Sequence, residues 1–284
     1  ARRLGRVLAG TQGIDLRGAL APNATFDLSR DPDTADLLAR SLRAFGAQSE
    51  IGLDPTAFSV DQAARPTPFP GLVSFGDRDA DAAIFYGRSR EIAEAIEELR
   101  SMRANADRRP LAILGVSGAG KSSFLKAGVI PRLRREPRSW LPLRVFRPGI
   151  DALDGFARAI SQTLADHGAA EAPGEIRERL EDALAEDTDP DALAAVLDHL
   201  SEKLRTAAGS PGATILISVD QVEELLRDDS PAAAKLIACL AAVSKGPRGW
   251  MTALTIRADR LPDLQAHPGF GQLKTRGYDL RQMP

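Results

Sequence analysis

The stretch Leu111–Lys126, LAILGVSGAGKSSFLK, decides how the rest of this chain is read. Four apolar residues run into Gly115, and Gly115, Gly120, Lys121 and Ser122 carry the P-loop spacing: glycine, four residues, then glycine, lysine and serine or threonine. An apolar-periodic segment opens directly behind it. The motif therefore sits in the strand, loop, helix context that its chemistry needs.

Each residue type in the motif has a physical reason. Gly115, Gly118 and Gly120 lack a Cβ, so the backbone is free to aim successive N–H groups inward at a β-phosphate. Those donors lie at the start of the following helix, where unpaired amides and the helix dipole favour an anion. The candidate cradle is Gly115, Val116, Ser117, Gly118, Ala119, Gly120, Lys121, Ser122 and Ser123. Lys121 is placed to reach the β- and γ-phosphates, and the Ser122 hydroxyl to ligate Mg²⁺. A glycine-rich turn that binds nothing would have no need of Lys and Ser at the helix start.

Downstream, ATILISVD (residues 213–220) is a nearly continuous apolar run of the kind buried in a parallel sheet, and it ends in a carboxylate. Asp220 is thus the candidate Walker B acid, holding Mg²⁺ opposite Ser122. Glu223 and Glu224 follow within one turn, and either is a candidate to polarise the attacking water. Gln221 occupies the adjacent position, where many ATPases carry that acid. A further buried strand, Trp250 to Ile256, ends in Arg257. In an open α/β sheet this end faces the ligand, so Arg257 either senses the γ-phosphate or pairs with Asp259 or Asp220.

Upstream, Phe85, Tyr86, Gly87 and Arg88 precede a helix with Ile92, Ile96, Leu99 and Met102 at helical spacing. Two roles fit this segment. Phe85 or Tyr86 packs on adenine while Arg88 or neighbouring backbone reads the base edge, or both aromatics staple the helix to the core. Helices are also expected over Lys121–Arg134, Asp151–His167, Gly174–Glu186, Asp189–Ala207 and Ala232–Ser244, and strands over Leu141–Phe146 and Tyr278–Leu280. The run RLRREPR (132–138) is either a positive patch or the basic end that a helix dipole favours. Strands alternating with helices predict an α/β fold, a three-layer core with a mostly parallel sheet flanked by helices.

Residues 1–64 are expected to be an N-terminal extension and linker, possessing a helix at 33–45, a strand at 25–28 and prolines at 55, 66, 68 and 70 along the stretch into the core. They hold no catalytic constellation. The chain opens at Ala1 and stops at Pro284 just after a strand-like segment, so it is expected to be part of a longer polypeptide.

Across 284 residues, 43% hydrophobic and 27% charged is the composition of a soluble globular protein. A net charge of -2 gives no global argument for nucleic acid or membrane binding. The single cysteine, Cys239, lies in an apolar run and reads as core; it permits no intramolecular disulfide and fits a reducing, cytoplasmic setting. No apolar stretch approaches a bilayer span.

Together PFPGL, FYGRSREI, the P-loop segment, RVFRPG, ILISVDQVEELL and LTIRADRL resemble the signal-transduction ATPases with numerous domains, the STAND class, in its bacterial novel STAND branch. The resemblance runs in order from Thr67 to Pro284. It implies ATP/ADP and Mg²⁺ as ligands, Gly87 and Arg88 as the segment contacting the base, Asp220 as the Walker B acid and Arg257 as the sensor-strand arginine. It also implies a switch: a lid that holds ADP, flanking effector and sensor domains, self-oligomerisation on exchange for ATP, and a place in antiphage or stress signalling. The chain ends where that lid should begin. Two other classes compete, a P-loop small-molecule kinase and a nucleotide-binding scaffold without hydrolysis.

Overall fold

Three apolar runs, at 111–114, 214–219 and 250–256, have no polar face to turn toward water and need cover on both sides. The computed structural model describes residues 73–185, 189, 191–226, 231–245, 249–271 and 273–281, and it buries all three runs in one sheet. The extension expected over 1–64, with its helix and strand, lies outside the described residues. So does the proline-rich stretch to residue 70.

The strands are β1 (Leu111–Gly115), β2 (Trp140–Pro142), β3 (Thr214–Val219), β4 (Trp250–Arg257) and β5 (Arg276–Asp279). They lie in the order β2-β3-β4-β1-β5 and every pairing is parallel. The helices are α1 (Asp79–Ala83), α2 (Ser89–Ala104), α3 (121–133), α4 (Ala152–Asp166), α5 (Pro173–Ala183), α6 (Ala192–Ala207), α7 (Pro231–Lys245) and α8 (Leu261–Ala266).

Alternate strand residues feed opposite layers. Ala112, Leu114, Ile215, Ile217, Leu254 and Ile256 pack with Phe156 and Ile160 of α4, Leu197 of α6 and Leu240 of α7. Leu111, Ile113, Leu216, Met251 and Ala253 pack with Ile92 and Leu99 of α2 and with Phe124 and Ile130 of α3. The result is the expected three-layer α/β core. From β1 the chain goes to the far edge, returns through β3 and β4, and finally crosses to the other side of β1. The reversal falls at the carboxyl ends of β1 and β4, the place where such sheets bind ligands.

Two elements depart from the expected ones. The helix behind the P-loop is α-helical at Lys121–Ser123, π-helical at Phe124–Val129 and α-helical again at Ile130–Leu133. Pro131 has no N–H to give the Ala127 carbonyl and its ring crowds that position, so the ladder widens ahead of it. Arg132 folds back and donates to the Ala127 carbonyl at 2.9 Å and to that of Gly128. Arg134 pairs with Asp77 at 2.6 Å. Much of the basic run is therefore spent on the chain itself. The second strand is short because Pro142 ends its regular part, yet Leu143 and Phe146 still donate to β3 carbonyls, and Phe146 bridges to Val219. Proline is tolerated there because β2 is an edge strand.

Candidate functional site

The P-loop leaves β1 at Gly115 and enters α3 at Lys121. Gly118 (φ 77°) and Gly120 (φ 82°) take left-handed backbone, a conformation that side chains resist, and this turns the loop back over the helix start. Val116, Ser117, Gly118 and Gly120 are exposed, while Ala119 is buried. Lys121 lies along the loop, its Nζ donating to the carbonyls of Gly115 and Val116 at 2.9 Å each. Burial pulls its ammonium below the ordinary lysine value, against the charge of Glu223; Arg257, Asp220 and Asp259 also act on it.

Asp220 follows β3 and is fully buried. Its Oδ1 accepts from Ser122 Oγ at 2.7 Å and from Thr255 Oγ1 at 2.8 Å. Its Oδ2 faces Lys126 Nζ at 2.8 Å and Arg147 Nε at 3.2 Å. Burial pushes the carboxyl up, but Lys126, with hydrogen bonds from Ser122 and Thr255, outweighs it and holds Asp220 below the usual carboxylate range. The acid stays ionised.

The two glutamates part company. Glu224 Oε2 accepts the Gly149 amide at 3.2 Å, which ties it to the loop beyond β2. Glu223 is 8% exposed, and its Oε2 has no hydrogen-bond partner. Burial raises its carboxyl above the ordinary value; backbone hydrogen bonds to itself and Arg257, and the charge of Lys121, pull the other way. Gln221 between the strand and the glutamates sits at φ 60°, with its amide held by Thr255 Oγ1 at 2.8 Å. Arg257 forms a forked pair with Asp259 at 3.0 and 2.7 Å. Of the two roles open to it, the ion pair is the one this geometry contains.

The segment before the P-loop divides as well. Phe85 is 7% exposed and meets Phe75 edge to face, with centroids 5.5 Å apart, so it is the staple and not a base platform. Phe75 N in turn donates to Ser123 Oγ at 3.1 Å. Tyr86 is 62% exposed and stays free to stack. Arg88 is 2% exposed and donates to the carbonyls of Ala119 at 2.8 Å and Arg281 at 2.7 Å. With Glu91 at 3.4 Å as a third partner, its guanidinium is engaged by the chain itself, one of its bonds being to the P-loop backbone. Gly87, at φ 87°, turns the chain between these two neighbours.

Lys126, Arg147 and Thr255 surround Asp220 without having been singled out from sequence. Lys126 had a local signal, since it lies one turn beyond Ser122 on the same helix. Thr255 had none. It meets Asp220 because Val219 pairs with Leu254, which places the next residue of each strand side by side. Cys239 is core, fully buried, with its thiol pushed up to about 12 by burial. Among the described residues no helix is long and apolar enough to cross a membrane, and no group of three or more His, Cys, Asp or Glu could hold a metal.

The model of the family described as Novel STAND NTPase 1 matches residues 68–284. No curated protein matches the chain. Among solved structures, the Walker-type ATPase of Pyrococcus abyssi is similar at 14% identity and a TM-score of 0.46, over 75% of this chain. The chain spans 57% of that protein's length.

Proposed function

This chain belongs to the novel STAND NTPase 1 family, and from that premise we propose that it binds ATP with Mg²⁺ at the P-loop, hydrolyses it slowly and uses the nucleotide state as a switch. One observation carries the reading. Ser122 Oγ lies 2.7 Å from Asp220 Oδ1, and beside them Glu223 keeps a buried carboxylate oxygen with no partner.

The residues present fit a hydrated Mg²⁺. A hydroxyl and an ionised carboxylate in contact are the hard oxygen donors that ion takes, with phosphate oxygens and water completing its shell. Ser122 would hold it directly and Asp220 through water. Bound there, Mg²⁺ supplies positive charge against the β- and γ-phosphate oxygens.

The chain's own groups would do the rest. The amides of Gly118, Gly120, Lys121 and Ser122 would donate to the β-phosphate, while that of Ala119 is held by the Val116 carbonyl at 3.2 Å, and Lys121 would exchange its two carbonyl bonds for phosphate oxygens. Glu223 is the better placed of the two acids to take a proton from the attacking water, because Glu224 is occupied by Gly149. A raised carboxyl suits a base. Arg257 would have to leave Asp259 to meet the γ-phosphate. Tyr86 is the candidate stacking surface for the base.

Residues 65–284 are proposed as the switch core and residues 1–64 as an extension that could end an effector domain. Cytoplasmic location, self-oligomerisation and a role in bacterial defence or stress signalling belong to the same proposal. They rest on the class and not on the site.

Calorimetric titration with ATP and ADP tests the reading. The wild type should bind both and release phosphate from ATP without an acceptor; Lys121→Ala should lose binding. No affinity for either nucleotide would end the proposal, and transfer of phosphate to a small molecule would favour a kinase. Gln221, at the usual position of the acid, favours a non-hydrolysing scaffold as the second reading, and bound ATP that persists unhydrolysed would establish it.

A further inference from the structure

A carboxylate has about four acceptor positions, two on each oxygen, and in Asp220 all four are taken: Ser122 and Thr255 on Oδ1, Lys126 and Arg147 on Oδ2. A water from the shell of a metal ion can reach this carboxylate only if one of the four lets go. They are not equally held. Thr255 Oγ1 also accepts the Gln221 amide and is fully buried, so moving it would orphan that N–H. Ser122 is itself the expected metal ligand. Lys126 is fixed by α3 and its side chain is 18% exposed. Arg147 makes the longest contact, 3.2 Å against 2.7 to 2.8 Å, and its side chain is 46% exposed. It alone regains most of its hydration on leaving.

We propose that Arg147 is a displaceable counter-ion: it covers Asp220 in the metal-free protein and yields Oδ2 when Mg²⁺ arrives with the nucleotide. The loop at 147–150 thereby reads metal occupancy. This rests on the P-loop reading above and assigns Arg147 a positioning role, not a catalytic one.

Charge and placement both support the direction of movement. Adding a divalent ion beside a carboxylate already paired with two cations sets three like-charged groups against one anion, and the most exposed one leaves at least cost. One further acceptor is already in contact with Arg147 and stays with it when Asp220 is given up. With the Gln221 amide oriented to satisfy both neighbours, its oxygen accepts from Arg147 Nη2 at 3.3 Å and its nitrogen donates to Glu224 Oε1 at 3.0 Å. Glu224 also holds the Gly149 amide. Withdrawal of Arg147 from Asp220 therefore disturbs a loop that ends in Ile150, which is 98% exposed.

The experiment compares wild type with Arg147→Gln. ADP is titrated calorimetrically in EDTA and at stepped Mg²⁺ concentrations, and exchange of the Gly149 amide is followed in the wild type. In EDTA the two proteins should bind ADP within about twofold, because Arg147 then touches Asp220 and not phosphate. The Mg²⁺ concentration giving half of the metal effect should fall roughly three- to tenfold in the variant, the range for one half-exposed charge. Gly149 exchange in the wild type should speed up with Mg²⁺ and ADP relative to ADP in EDTA. An unchanged or higher Mg²⁺ requirement in the variant, or Gly149 exchange indifferent to the metal, overturns the inference alone. Failure of the wild type to bind ADP under any condition overturns the nucleotide reading with it.

Discussion

Replacing Arg88 by methionine separates the two roles open to this residue. The side chain keeps an unbranched apolar stem, ends short of the guanidinium position and loses every donor, so the Ala119 and Arg281 carbonyls lose their partners at 2.8 and 2.7 Å and Glu91 its pair at 3.4 Å. They do not weigh equally. Arg281 is exposed, and water replaces the lost bond; Ala119 is 3% exposed and has no such substitute. A bond to a charged group contributes about 1.5–3 kcal/mol net. Burying methionine in place of a cation recovers part of that, which leaves a loss of about 2 kcal/mol. For a domain of this size each kcal/mol moves Tm by about 2–4 °C, so Arg88→Met should melt about 4–8 °C lower by circular dichroism. Because Ala119 lies within the cradle, ADP and GDP should both bind more weakly, by a similar factor. A Tm within about 1 °C of wild type, joined to a loss of preference for ADP over GDP, would refute this account and make Arg88 the reader of the base.

Glu223→Gln should keep ADP binding and lower phosphate release by about 10²–10⁴ fold, while Glu224→Gln should stay within severalfold of wild type; the reverse pattern would exchange their roles. Burial raises the Glu223 carboxyl above its ordinary 4.5 despite its backbone bonds and Lys121. The base must be ionised, so turnover should fall as pH drops through a value above 4.5. The stability sign is opposite: a raised native value favours the protonated form, so this contribution is complete below 4.5 and lost as pH rises through the native value. Glu223→Gln, which mimics that form, should therefore melt above wild type at neutral pH and level with it in acid. Thr255→Val removes the hydroxyl that joins Asp220 to the Gln221 amide, taking a donor from the buried Asp220 carboxylate and the acceptor from a half-buried N–H, at a cost of about 1–3 kcal/mol in chemical denaturation. Unchanged stability would mean that the Thr255 bridge contributes nothing.

The parts of the fold legible in sequence are those set by local pattern. β3 and β4 lie within one or two residues of their apolar runs, because a strand covered on both faces leaves no alternative to continuous burial. The faces of α4 and α6 follow from period alone. What stayed hidden depends on neighbours distant in sequence. The order β3-β4-β1 puts Thr255 against Asp220, and no reading of either segment by itself supplies that adjacency. The sequence left Arg88 two roles; that it donates to the Ala119 carbonyl depends on a loop 31 residues away and could not be read from its own segment. The π segment had a visible cause in Pro131, yet its extent depended on Arg132 reaching back to the freed carbonyls.

In the proposed switch, nucleotide binding would have to break bonds the site already makes. Lys121 is bonded to two carbonyls, Asp220 to four donors and Arg257 to Asp259, so each of these groups already has protein partners. A nucleotide must exchange those bonds for its own, and only the difference appears as affinity. The groups that change partners are the ones through which loops 116–120 and 147–150 would register what is bound. When two states differ by a few kcal/mol, the population follows the ligand that discriminates between them. Glu223 holds an unmet carboxylate oxygen in the protein's interior, and an incoming water that donates to it would remove part of the cost of burying that oxygen.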